Sequence, residues 1–329
     1  MAKKGYIGVN NIARKIKTAY IGVNGVARKI KKVYVGVNGI ARLWYESEMK
    51  WVQTTLPTTD AWSSVCYGNG KFVAVAVGSS NAAYSTDGVN WTLTSLPGTR
   101  NWTRICYGDG KFVAVDIGSE LGAYSTDGTT WSSIRIGMAG ASSICYGDGK
   151  FVAVHPSYGA VYSVDGVNWE FVSVGNQYDI CYGDGKFVAL PNINSKKVFY
   201  STDGISWTET ETDQMPIEAF WSICYGGGRF VAVSSGSSET SKAAYSLDGI
   251  SWSYVTTSTY AVGSNTICYG DGKFVVASPS SVFGITGYST DGINWTKLPM
   301  PTEKEWDICY GDGKFVAVAK SSNIAAYSE

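Results

Sequence analysis

The chain has 329 residues, 44% hydrophobic and 14% aromatic, enough for one large ring with an appendage. No stretch is apolar for long enough to span a membrane, the start has no apolar secretory core, and no Cys/His cluster has zinc spacing, His155 being the only histidine. Cytoplasmic synthesis without a signal peptide is therefore expected, with no membrane insertion, no metal and no cofactor. The zero net charge hides an asymmetry: of 27 Lys and Arg, ten precede Glu46 with no acid among them, leaving 17 against 27 acids afterwards.

The basic start is a repeat of period 14: YIGVNNIARKIKTA from Tyr6, YIGVNGVARKIKKV from Tyr20 and YVGVNGIARLWYES from Tyr34. Asn24-Gly25 and Asn38-Gly39 between Val/Ile-rich flanks are strong two-residue hairpin signals, and Asn10-Asn11 is a weaker one. Frequent Gly and β-branched residues argue against a helix. Single hairpins are too short to stand alone, so this arm, residues 1–47, is expected to order against another copy or another protein. Its cations, among them Arg14, Lys15, Arg28, Lys29, Lys31 and Arg42, suit docking on an acidic partner surface. A solvated basic face is the alternative. Nucleic-acid binding is not expected, because tyrosines at fixed strand positions are not the aromatic or loop readers it needs.

From residue 48 onward a second repeat begins. A cysteine before Tyr-Gly recurs as Cys66, Cys106, Cys145, Cys181, Cys224, Cys268 and Cys309. Each unit holds short apolar runs between Gly and Asp turn signals, so each reads as four antiparallel strands. A period near forty with four strands per unit predicts an all-β, seven-bladed β-propeller over 48–329. Tyrosines mark the third strand seven times, Tyr84 to Tyr327, but tryptophans mark the fourth only six times, Trp91 to Trp295. The stretch from Trp51 to Pro57 matches the fourth strand from Trp91 to Pro97. It is expected to complete the last blade and so remove the open edges. The seven cysteines occupy equivalent inner positions, where they read as small buried thiols poorly placed to pair.

The turns Gly-Asn/Asp/Gly-Gly and Asp-Gly keep constant length and share one rim. Asp109, Asp148, Asp184, Asp271 and Asp312 there read as turn formers, not a metal site, with solvated lysines beside them. All length variation falls on the other rim, up to Ser234–Lys242 and Ser278–Thr286, and variable loops on a rigid scaffold are where binding resides. Aromatics recur there as Trp62, Trp102, Tyr178, Trp221 and Trp306, with Arg104, Asp179 and Asp307 nearby, whereas the third and sixth units have Ser142 and Asn265. Two readings stand. The aromatics ring the channel mouth and stack a sugar, or they cap hydrophobic seams between blades.

Ser85–Trp91, Ser125–Trp131, Ser163–Trp169, Ser201–Trp207, Ser246–Trp252 and Ser289–Trp295 resemble the Asp-box of sialidase-like and BNR-repeat propellers, though one residue shorter between Asp and Gly. The Asp-box is a folding turn. Sialidase chemistry needs three arginines on a carboxylate, and the ring holds only Arg100, Arg104, Arg135 and Arg229, the last on the constant rim. A sialidase-like glycosidase is the least favoured reading; no enzymatic activity and no catalytic residue are expected.

The tandem Tyr-Ile-Gly-Val-Asn-Gly-Val-Ala-Arg-Lys repeats, Tyr6 to Arg42, resemble those at the start of tail and baseplate-associated proteins of phages and phage-tail-like bacteriocins from Gram-positive hosts. That resemblance implies a tail component. The arm would dock to other tail or baseplate proteins, with homo-oligomerisation through it a further option. The propeller would project to bind a host cell-surface glycan or protein; a purely structural baseplate role is the alternative.

Overall fold

The computed structural model describes residues 6–9, 12–15, 19–23, 26–30, 32–37, 40–46, 49–191, 195–212, 219–234, 241–257, 266–277 and 287–329, with backbone only for the strands up to residue 46 and for residues 241–242 and 256–257. The chain divides into two compact units, Met1–Lys50 and Trp51–Glu329. No helix among the described residues is long and apolar enough to cross a membrane.

Among the described residues the first unit holds three two-stranded antiparallel sheets, Tyr6–Val9 with Ile12–Lys15, Ala19–Val23 with Val26–Ile30, and Lys32–Val37 with Ile40–Glu46. Their registers end at Val9↔Ile12, Val23↔Val26 and Val37↔Ile40, which leaves two residues between the last partners in each case, the spacing of a two-residue hairpin.

Among the described residues the second unit is all β: four four-stranded antiparallel sheets and one of nine strands. The nine-stranded sheet is continuous because long strands serve two repeats. Trp51–Gly68 pairs through Trp51–Thr55 and Asp60 with Ser322–Ser328, and through Ala61–Gly68 with Lys71–Ser85. The expected closing ladder is therefore present, with Ser328↔Trp51, Tyr327↔Val52 and Ala325↔Thr54.

Why the sheets stack follows from the second strand of each repeat. In Lys111–Asp116, Phe112, Val113, Ala114 and Val115 are all fully buried. Alternation sends them to two faces. Phe112 and Ala114 pack with Val73 and Val75 of the preceding repeat, and Val113 and Val115 with Phe151 and Ala153 of the next. A strand that is apolar on both faces thus glues two neighbours. The tyrosine after each cysteine seals the same seam. Its ring lies over the glycine of the repeat before it, so closely that a Cβ on Gly147 would stand 2.0 Å from the Tyr182 ring. These contacts run Gly68–Tyr107, Gly108–Tyr146, Gly147–Tyr182, Gly183–Tyr225, Gly226–Tyr269, Gly270–Tyr310 and Gly311–Tyr67, returning to their start. All seven thiols are free; Cys181 and Cys309 are buried, the other five are half-buried, and burial raises the pKa of every one, which disfavours the thiolate.

On the constant rim each Asp-box aspartate organises its own turn. Asp203 accepts from the backbone N–H of Ile205 and Ser206 and from the Ser201 hydroxyl. Burial opposes its ionisation, yet these donors outweigh it and hold the carboxyl at about 2; Asp291 lies at about 2 by the same balance. Asp87, Asp127, Asp165 and Asp248 are depressed likewise. The basic residues of this rim are not merely solvated tips. Lys71 donates to the Asp127 carbonyl, Lys314 to that of Asp87 and Arg229 to that of Asp291, each at 2.7 Å, so these cations tie one repeat to the next.

A depressed carboxyl contributes stability above its unfolded pKa of about 4, and that contribution is lost as pH falls through the folded value. Melting temperature is therefore expected to drop steeply between pH 4 and 2. Asp203→Asn, which cannot take up that proton, should flatten the slope in this window. An unchanged slope would remove the turns from the acid response.

Candidate functional site

The first strand of each repeat is innermost and has a free edge. Its backbone groups need partners, and the residues just before the Ile-Cys or Val-Cys pair supply them. Asp307 accepts from the Val65 N–H at 2.9 Å and from the Thr266 hydroxyl at 3.2 Å. Asp179 accepts from the Ile223 N–H at 2.9 Å and from the Ser143 hydroxyl. Ser64 and Ser222 take the N–H of Ile105 and Ile267. One position outward, the Ser63, Thr103 and Ser142 hydroxyls donate to the carbonyls of Trp102, Ala141 and Tyr178 in the following repeat. The inner strands are thus stitched edge to edge by short polar side chains.

At the same level lies a cavity of about 200 Å³ lined by Trp62, Ser63, Val77, Thr103, Arg104, Ile117, Ser142, Tyr178, Trp221, Glu305, Trp306, Asp307 and Lys320. Six repeats contribute, so it is the mouth of the channel on the variable rim. Of the candidate ligand residues it gathers Trp62, Arg104, Tyr178, Trp221, Trp306 and Asp307, but not Trp102 or Asp179.

The aromatics divide by burial. Trp62, Trp102 and Trp306 are 1%, 0% and 5% exposed. Each indole N–H donates to the carbonyl four residues back, Thr58, Gly98 and Thr302. Trp62 packs with Leu56 and Val318, and Trp102 with Leu96 and Ala123. Trp102 as a ligand contact is corrected: it is a seam residue with no surface to offer. Tyr178 and Trp221 instead stay half-exposed and meet edge to face at 5.5 Å. Phe220, beside Trp221, takes the buried seam place at 2% exposure.

The charges also divide. The Asp179 side chain is committed to the neighbouring strand, as is that of Asp307, whose carboxyl burial pushes up against the pull of Arg104. Asp307 lines the cavity, with each of its oxygens already accepting one hydrogen bond. Arg104 makes only long contacts: 4.0 Å to Asp307, 3.5 Å to the Ser63 carbonyl and 3.4 Å to that of Thr103. Burial works against its charge, but Asp307 and Asp179 outweigh it and keep it cationic. Glu305 and Lys320 satisfy each other at 2.8 Å.

Sequence reasoning missed Gln177. It stands four residues before its cysteine, the spacing held by Trp62, Trp102 and Phe220. Its side chain is fully buried, and neither amide atom has a partner among the described residues. An unpaired buried amide costs about 1–3 kcal/mol. Gln177→Leu is therefore expected to stabilise the ring by about 1–2 kcal/mol, read as a higher melting temperature. A lower one would mean that the amide is served by an ordered water.

The docking cations Arg14, Lys15, Arg28, Lys29 and Arg42 lie where only backbone is described, and Lys31 lies outside the described residues. So do Asn265 and residues 235–240 and 278–286 of the two long loops. Among the described residues no cluster of three or more His, Cys, Asp or Glu could hold a metal.

No protein-family model matches the chain, and no curated protein matches it. Among solved structures it is similar to catalytically inactive virginiamycin B lyase from Staphylococcus aureus with quinupristin, at 13% identity and a TM-score of 0.74 over 85% of this chain and 99% of that one. It is similar to YCF48 bound to D1 peptide, at 15% identity and 0.64 over 84% and 94%. It is also similar to the WD40 β-propeller domain of Doa1, at 13% and 0.60 over 84% and 95%. At these identities the likeness establishes a β-propeller fold. It also corrects the expectation of no enzymatic activity, because the same fold carries the virginiamycin B lyases and gives no ground for excluding catalysis.

Proposed function

We propose that the chain is a component of a phage tail or phage-tail-like particle, whose basic repeats dock to other tail or baseplate proteins and whose ring binds a host cell-surface saccharide at the channel mouth. The propeller fold suits a protein-binding or lyase-like scaffold. The observation that carries the finer reading is the mouth itself, where half-exposed Tyr178 and Trp221 stand beside the incompletely bonded cation Arg104. Aromatic faces beside a few fixed polar groups are the usual make-up of a small-ligand site. The tail assignment rests on the tandem repeats from Tyr6 to Arg42. Assembly in the bacterial cytoplasm follows from that assignment.

A second reading is supported by the likeness to peptide-bound YCF48: the mouth takes a segment of another particle protein. One experiment separates them. The full chain should adsorb to purified Gram-positive cell walls. A chain lacking residues 1–45 should still adsorb but fail to join particles, and docking by the full chain should weaken with salt. A truncated chain that still co-purifies with particles removes the docking role of the arm. A full chain that adsorbs to no wall but is held by particle proteins through the ring favours the second reading.

A further inference from the structure

Resting on the saccharide reading, we propose that the mouth selects an acetamido group: its ligand is an N-acetylated hexosamine whose amide oxygen accepts from Arg104. The argument is one of unspent hydrogen-bonding capacity. The three serine and threonine hydroxyls of the mouth donate across the seams, each Asp307 oxygen already accepts one hydrogen bond, and Glu305 and Lys320 pair with each other. Arg104 has five donors and only contacts of 3.4 Å or longer to spend them on. The mouth therefore has guanidinium donors to give.

Charge narrows the ligand further. Arg104 already faces the carboxylates of Asp307 and Asp179. A carboxylate or phosphate ligand would add another negative charge beside that pair, and an ammonium would meet the like charge of Arg104. A neutral acceptor avoids both costs. The acetamido group brings such an acceptor, its carbonyl oxygen with two lone pairs, together with an apolar methyl. The methyl beside that oxygen would cover the half-exposed rings of Tyr178 and Trp221. A cavity of about 200 Å³ lies below the usual range for larger ligands, so it fits one substituted ring better than a chain.

The test uses the full chain, titrated with N-acetylglucosamine, glucosamine and glucose and followed by tryptophan fluorescence and calorimetry. The acetylated sugar is expected to bind about tenfold tighter or more, the worth of one hydrogen bond to a charged group. Arg104→Met, checked for folding by melting, should erase that preference. The ligand comparison stands even if that variant does not fold. Equal binding of all three sugars overturns the acetamido assignment and leaves the saccharide reading standing. An acetylated dipeptide amide that binds as tightly as the acetylated sugar overturns the saccharide assignment. Binding of none of the three sugars, with wall adsorption still lost in Trp221→Ala, overturns the acetamido assignment and keeps the mouth as the receptor site.

Discussion

Trp102→Ala is expected to cost about 4 kcal/mol of stability, in the range for deleting a fully buried tryptophan, and to leave wall adsorption intact in the fraction that folds. The side chain is 0% exposed, packs with Leu96, Ile105 and Phe112, and spends its N–H on the Gly98 carbonyl. Nothing of it reaches the cavity. Trp221→Ala should behave in the opposite way. Its ring lines the cavity and is half-exposed, so the stability cost should be about 1 kcal/mol. Loss of an aromatic anchor should cost binding about 2 kcal/mol, or roughly thirtyfold in affinity. Melting temperature and adsorption measured on both variants give the answer. If Trp221→Ala melts as low as Trp102→Ala and still adsorbs, the mouth aromatics are core and the receptor site lies elsewhere.

The contrast between these two tryptophans marks where sequence reading stops. The strands, their pairing and the closing ladder were legible because the same phrase recurs, with cysteine, glycine turn and Asp-box at fixed offsets. Which aromatic faces the channel was not, because it turns on single residues. Trp62 and Phe220 lie four residues before their cysteines but reach their ladder partners, Ala76 and Ser234, across an irregularity that skips Ser63 and Trp221. Trp306 lies three before its cysteine and pairs with Ala319 in unbroken register. One inserted residue turns a side chain to the other face. Trp221 is such an inserted residue, and the adjacent Phe220-Trp221 pair was the available signal, since neighbours in an extended strand point oppositely. The roles of Asp179 and Asp307 were illegible for a different reason. They serve the free edge of the next inner strand, a need visible only once the strands stand side by side.

Removal of residues 1–57 is expected to abolish the soluble ring, whereas removal of residues 1–50 should leave its melting temperature unchanged. The difference is seven residues, Trp51 to Pro57. They supply five of the six ladder partners of the strand Ser322–Ser328, from Ser328↔Trp51 to Ile324↔Thr55, Asp60 supplying the sixth to Ser322. Leu56 adds an apolar plug, 3% exposed against Val318 and Ala325. Thr54 also donates to the Val89 carbonyl of the neighbouring repeat at 2.7 Å, so the segment holds two repeats at once. Without it, Ile324–Ser328 becomes an edge with unpaired N–H and C=O groups, the arrangement that templates association with other chains. Ladder, plug and cross-link fall together, which makes this the largest loss expected from any short deletion in the chain. Size-exclusion chromatography and thermal melting of the two truncations decide it. A monomeric product lacking residues 1–57 that melts with the parent would show that the ring does not depend on this ladder. A product lacking residues 1–50 that aggregates would place part of the closure before Trp51.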